Sequence, residues 1–157
     1  MAVHLPLSVE AQTETHVLMM STHNIFSPAN GNPIVSPSQD IIMGVYFLTV
    51  GHGDVAGQKV RRFKDMDEAL LCFQLPHGDP RRISFHDPIE VRLGRFSEVV
   101  GDQKKAPEPM PANRRIVTTL GRLIFNEILP DGMPFYNCTL GKKGAARVID
   151  DTFARKG

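Results

Sequence analysis

The chain has no tryptophan and only two cysteines, and both shortages exclude something. Cys72 and Cys138 cannot frame a disulfide-stapled secreted scaffold, and two thiols so far apart in sequence suit a reducing interior. An excess of one charge is also missing: 18 Lys and Arg stand against 17 Asp and Glu, a net +1, so bulk attraction to nucleic acid is excluded and any such contact must be local. No apolar run is long. Ile41 to Val50 is about half of what a membrane-spanning helix requires, and no basic leader of a signal peptide is present. The expectation is a cytoplasmic chain with no membrane contact. The six histidines, His4, His16, His23, His52, His77 and His86, show neither HExxH nor Cys-x-x-Cys pairing, so no metal site is expected from the chain itself. Leu140-Gly141-Lys142-Lys143 before a helix lacks the upstream glycine and the following Ser or Thr of a phosphate loop, which leaves a basic helix start. Asn137-Cys138-Thr139 fits a glycosylation sequon, but nothing else points to secretion.

What is present is enough for a core: 157 residues, 41% of them hydrophobic. The opening residues Met1 to Leu7 alternate as a strand, with Val3 and Leu5 on one side and His4 on the other. Ser8 is placed to cap a helix over about 9–20, with Glu10 in its first turn. Ser27-Pro28, Asn30-Gly31, Asn32-Pro33 and Ser36-Pro37 make a turn-rich stretch. Ile41 to Val50 reads as a buried strand or apolar segment in which Gly44 admits another backbone. Gly51, Gly53 and Gly57 mark a loop and a subdomain boundary.

Beyond that boundary Asp65 and Glu68 stand at capping-box spacing ahead of a helix over about 66–74. Ile83 to Phe85 and Ile89 to Leu93 alternate as two half-buried strands. Residues 101–113, with prolines at alternate positions, read as an exposed loop. Arg115 to Thr118 reads as a strand, Thr119 as the cap of a helix to Leu129, and Asp131-Gly132 as a turn. A last amphipathic helix over about 142–155 groups Ala145, Val148, Ile149 and Phe153. The fold class expected is α+β.

Several unusual strings recur in register with one family. Met1-Ala2-Val3-His4-Leu5-Pro6-Leu7-Ser8, Glu10-Ala11-Gln12, Leu18-Met19-Met20-Ser21, Ser27-Pro28-Ala29-Asn30-Gly31-Asn32-Pro33 and Pro37-Ser38-Gln39-Asp40 resemble the segment after the metal-binding loop in the largest catalytic subunit, β′, of bacterial DNA-directed RNA polymerase. Thr118-Thr119-Leu120-Gly121-Arg122, Asn126-Glu127-Ile128-Leu129-Pro130 and Leu140-Gly141-Lys142-Lys143 resemble a later part of it, and 51–113 only loosely. The resemblance implies that 1–50 is the tail of the catalytic double-psi β-barrel domain and 51–157 a mixed helix and short-strand pore or funnel region. It implies Mg²⁺-dependent RNA synthesis from nucleoside triphosphates on a DNA template in the whole enzyme. The partners it implies are the remainder of β′, the β and other polymerase subunits, DNA and RNA. The family's Asp-x-Asp-x-Asp triplet would precede Met1 and is not in this sequence, so the chain is expected to be a fragment, inactive alone, with no catalytic residue or metal ligand of its own.

The same resemblance places Asn30, Gln39 and Asp40 nearest a nucleotide and leaves His4 facing a cavity or the metal loop; a turn, a polar lead-in to the next element and a hydrogen-bonded structural histidine are the ordinary alternatives. The basic pairs Arg61-Arg62, Arg81-Arg82, Lys104-Lys105, Arg114-Arg115 and Lys142-Lys143 are candidates to line a nucleotide channel, Arg114, Arg115, Lys142 and Lys143 foremost, with solvated surface charge as the alternative. A free-standing α+β binding module is the competing reading. A small hydrolase using His86-Asp87 with a serine ranks below both, because no nucleophile motif such as GxSxG is present.

Overall fold

The computed structural model describes residues 2–51 and 60–156. His52, Gly53 and Gly57 of the expected glycine loop lie outside the described residues. The chain divides into two compact units, Met1–Pro37 and Ser38–Gly157.

In the first unit the Ser8 hydroxyl caps α1 (Val9–Glu14) by accepting the Ala11 N–H at 3.1 Å, and Glu10 lies in the first turn, where the helix dipole favours it. A wider π-helical turn, Thr15–Met19, continues the helix almost to the expected end. Residues 28–30 form turns, Gly31 sits at φ +69°, and the Asn30 carboxamide oxygen accepts the Asn32 N–H at 3.1 Å. The opening strand does not form. Residues 2–7 have no regular structure and are mostly exposed, because their own unit holds no described strand to take their N–H and C=O groups.

The second unit opens with a further correction. Residues 41–50 are not a strand; Gln39–Thr49 is a helix, α2. Its inward positions are Ile42, Val45, Leu48 and Thr49, which share one helical face, while Ile41, Met43, Tyr46 and Phe47 are more than half exposed. Because both faces are apolar, the period was hidden in the sequence, and only the eleven-residue length argues for a helix. Gly44, expected to admit another backbone, has open space around it.

Two three-stranded sheets follow. In the first, β2 (Pro88–Arg92) lies between β1 (Arg61–Phe63), parallel to it, and β5 (Arg115–Thr119), antiparallel, with Ile89 opposite Thr118 and Val91 opposite Ile116. Ile89 and Val91 are fully buried and Arg92 is exposed, the alternation expected of a half-buried strand. Ile83 is buried, but residues 83–85 form no strand; Asp87 accepts the Ser84 N–H at 2.7 Å and turns the chain there instead. In the second sheet β3 (Glu98–Val100) pairs antiparallel with β4 (Glu108–Pro109), a short strand inside the expected loop, and parallel with β6 (Phe135–Tyr136).

Three helices complete the unit. Asp65 caps α3 (Met66–Phe73) through the Glu68 N–H at 3.1 Å, while the Glu68 carboxylate accepts the Lys64 N–H at 2.6 Å, so both residues of the expected capping box are used. Thr119 caps α4 (Leu120–Glu127), and α5 (Lys142–Lys156) buries Ala145 and Val148 but leaves Phe153 about half exposed. One core gathers Ile89, Val91, Leu120, Leu123, Phe96 and Phe135 under the first sheet; a second gathers Val100, Met133, Tyr136, Leu140 and Val148. The expected α+β class is borne out, and the described residues form no closed barrel. No described helix is long and apolar enough to cross a membrane.

Among the described glycines the closest backbone approach is at Gly121, where a Cβ would collide with the Leu48 carbonyl oxygen. Gly121→Ala is therefore expected to cost at least ~1–3 kcal/mol of stability, read as a lower midpoint in denaturant unfolding. Asp65→Ala should cost only ~1 kcal/mol by loss of one cap.

Candidate functional site

The polar residues that the fold concentrates are not the ones the sequence singled out. They lie where the end of α2 meets the start of α4 and the segment joining β6 to α5. Thr49 is fully buried; its hydroxyl donates to the Val45 carbonyl at 2.7 Å and accepts the Leu140 N–H at 2.9 Å. Arg122, in the first turn of α4, donates through Nε to the Thr49 carbonyl at 2.8 Å and through Nη1 to the Asn137 Oδ1 at 3.1 Å. Asn137 in turn donates to the Val117 carbonyl at 2.9 Å. Asn126, also fully buried, accepts the Tyr136 N–H at 2.7 Å and donates to the Tyr136 carbonyl at 3.0 Å, so one side chain serves as a strand partner for β6. The Tyr136 hydroxyl donates to Asp151 of α5 at 2.7 Å.

Burial sets the electrostatics here. It lowers the Arg122 guanidinium from its ordinary range, although arginine stays charged at neutral pH, and it pushes the Cys138 thiol up, so that Cys138 is a protonated core residue rather than a nucleophile. Burial and the Asp151 contact both raise Tyr136. Beside Arg122 opens a cavity of about 520 Å³ lined by residues 101–104, Arg122 and residues 137–139.

The predicted residues are placed differently. His4 is exposed in the irregular opening segment and Asn30 is committed to its turn. Gln39 and Asp40 are exposed in the first turn of α2, and Gln39 adopts φ +49°, a left-handed backbone that a glutamine rarely takes. Arg114 also has positive φ, at +52°, and its guanidinium donates to the Gly94 carbonyl at 2.6 Å; Arg115, Lys142 and Lys143 are exposed. No hydrogen bond or ion pair among the described residues joins Arg114 or Arg115 to Lys142 or Lys143. Two other basic pairs are tied down: Arg61 holds the Pro80 and Arg81 carbonyls, Arg62 pairs with Glu90, Arg81 with Asp79, and Arg82 covers the Phe73 ring. His86 donates to the Val50 carbonyl at 3.2 Å and lies edge-on to Phe47, whereas Asp87 binds the Ser84 backbone, so these two do not assemble a hydrolase dyad. Among the described residues no group of three or more His, Cys, Asp or Glu could hold a metal ion.

Residues 24–156 match the family described as RNA polymerase Rpb1, domain 3. The chain belongs to that family. Over its whole length it is 43% identical to the DNA-directed RNA polymerase subunit β′ of Rhodopirellula baltica, covering 10% of that protein. It is likewise 39% identical to the β′ subunit of Aquifex aeolicus and 37% identical to that of Pelotomaculum thermopropionicum, covering 8% and 12% of them. The resemblance to bacterial β′ is thus borne out across the chain, including the middle where the motifs matched loosely, and the chain spans about a tenth of the length of the subunits it matches.

Sequence reasoning missed Thr49, quoted Asn126 only within a matching string, and considered Asn137 only as part of a discarded glycosylation sequon. Arg122 stood inside the Thr-Thr-Leu-Gly-Arg string but carried no assigned role. A buried polar network of this kind is formed by residues distant in sequence, as Thr49 and Leu140 are, and no local spacing announces it. Two outcomes follow from the geometry. Thr49→Val strands the buried Leu140 N–H and should cost ~1–3 kcal/mol in equilibrium unfolding. Tyr136 is raised above its ordinary value of 10, so the folded chain retains a proton that the unfolded chain releases; its contribution is complete below pH 10 and declines as the pH rises further. Cys138, raised from 9, acts in the same direction from a lower pH. Stability measured between pH 8 and pH 11 should fall, and Tyr136→Phe should flatten the upper part of that fall.

Proposed function

We propose that this segment serves a bacterial DNA-directed RNA polymerase as structural support under the active centre and as part of the nucleotide entry wall. The observation that carries the reading is similarity to β′ subunits over the entire chain, at 43% and 39% identity in two relatives roughly ten times as long. In the whole enzyme the reaction is RNA synthesis from nucleoside triphosphates on a DNA template. The Mg²⁺ ions that such transfer uses do not fit the described residues, which bring no three carboxylates, thiols or imidazoles together; they belong to carboxylates outside this chain. Residues 1–50 are read as the tail of the double-psi barrel domain and 51–157 as pore region. The remainder of β′, β and the other subunits, with DNA and RNA, are the partners, and the location is cytoplasmic.

Within this reading Gln39 and Asp40 approach the nucleotide. The left-handed backbone of Gln39 supports this, since such a conformation costs ~1–3 kcal/mol and persists where surroundings demand it. His4 and Asn30 are assigned to the same neighbourhood, and Arg114, Arg115, Lys142 and Lys143 to the channel wall. The exposed apolar residues also favour a segment seated in a larger body over a free-standing module: Leu7 is 93% exposed and Val3 and Leu5 83% each.

The chain alone should incorporate no nucleotide with Mg²⁺ and should bind a hydrophobic dye and self-associate; a cooperative, monomeric unfolding transition without dye binding would favour the module instead. In a polymerase assembled with a full-length β′ carrying this segment, Lys142→Ala with Lys143→Ala should raise the nucleotide KM several-fold at unchanged kcat, whereas Gln39→Ala should lower kcat. An unchanged KM in the double variant removes the channel role.

A further inference from the structure

Arg122 is half buried, yet it forms no ion pair with any described carboxylate. Its Nε and Nη1 hold Thr49 and Asn137, and its Nη2 lies beside Gly51, where a Cβ would come within 3.0 Å. Arginine has five N–H donors, so donors remain after these bonds. Removing a cation from water without a counter-charge is costly, and a bound anion offsets that cost.

We propose that the cavity beside Arg122 binds a phosphate-sized oxyanion, held by the Arg122 guanidinium and the Lys104 ammonium. Both residues line it, together with Thr139 and with the carboxamides of Gln103 and Asn137, which already donate to the Thr139 and Val117 carbonyls and each keep one further N–H. The cavity, about 520 Å³, has room for such a group. Asp102 is the one carboxylate in its lining, and it is committed to its own turn, accepting the Lys104 N–H at 3.0 Å. The amino-terminal turn of α5 lies next to the same wall, since a Cβ at Gly144 would meet the Gln103 carboxamide at 3.0–3.1 Å. That end of a fifteen-residue helix carries partial positive charge, and Lys142 and Lys143 add to it. The planar guanidinium fork suits phosphate geometry better than a point charge does. The inference stands independently of the role proposed for the segment in a polymerase.

The test uses the nitrogen-15-labelled chain, diluted until sedimentation shows a monomer, titrated with inorganic phosphate against chloride at constant ionic strength. The Arg122 Nε–H resonance should move saturably, and Lys104→Gln should weaken the apparent affinity about tenfold, while Lys64→Gln at an exposed site elsewhere leaves it unchanged. Lysine is substituted because removing Arg122 would also cut the tie between α2 and α4. Repeating the titration with a nucleoside monophosphate distinguishes a site for free phosphate from one for a phosphate ester; saturable movement of the Arg122 resonance by either supports the site. No saturable movement with either ligand up to about 50 mM, or an affinity unchanged by Lys104→Gln, overturns the proposal.

Discussion

The second unit depends on the carboxyl end of one helix lying directly on the amino end of another. At Gly121 the two backbones approach so closely that no side chain fits, and the contact brings the Thr49 carbonyl within reach of Arg122 and the Thr49 hydroxyl within reach of Leu140. Three segments far apart in sequence are thereby joined through one threonine. A glycine that makes room and a threonine that uses the room are complementary: the first permits the approach, and the second satisfies the backbone groups that the approach would otherwise strand.

From that junction the polar network continues into the smaller sheet. Asn126 replaces a missing strand beside Tyr136, and Tyr136 reaches Asp151 on the last helix. Arg147 of the same helix donates to the Gln103 and Lys105 carbonyls, drawing the proline-containing loop onto α5. These bonds surround the second apolar core, which is built from few large side chains, so directional bonds rather than area alone specify how its pieces meet.

Much of the helical architecture was legible because it is written locally. Ser8, Asp65 and Thr119 each announce a helix start through a side chain that caps its own backbone, and each does so in the structure. The strand through Ile89 and Val91 was legible from alternation. The errors fall where local pattern is silent or misleading. The 41–50 run is apolar on both faces and so hides its period; residues 2–7 alternate but find no strand among those described; residues 83–85 alternate but bend into a turn held by Asp87. The site was less legible than the fold. Resemblance supplied the family of the chain and not the polar junction, which depends on contacts between residues such as Thr49 and Arg122 that no spacing rule connects.

The order of elements in the first core carries a consequence for biosynthesis. The buried residues of β2 share one core with Phe63, Ala69 and Ile83, which precede the strand, and with Leu120, Leu123 and Phe135, which follow it. A ribosome adding ~5–20 residues per second leaves that core without its later half for a second or more. During that interval the best shelter of β2 is the parallel neighbour already made, β1, together with the helix that connects them. The nascent segment is therefore most prone to wrong pairing before Gly121 has emerged, and a chaperone acting on it would find Ile89 and Val91 as its most persistent apolar handle.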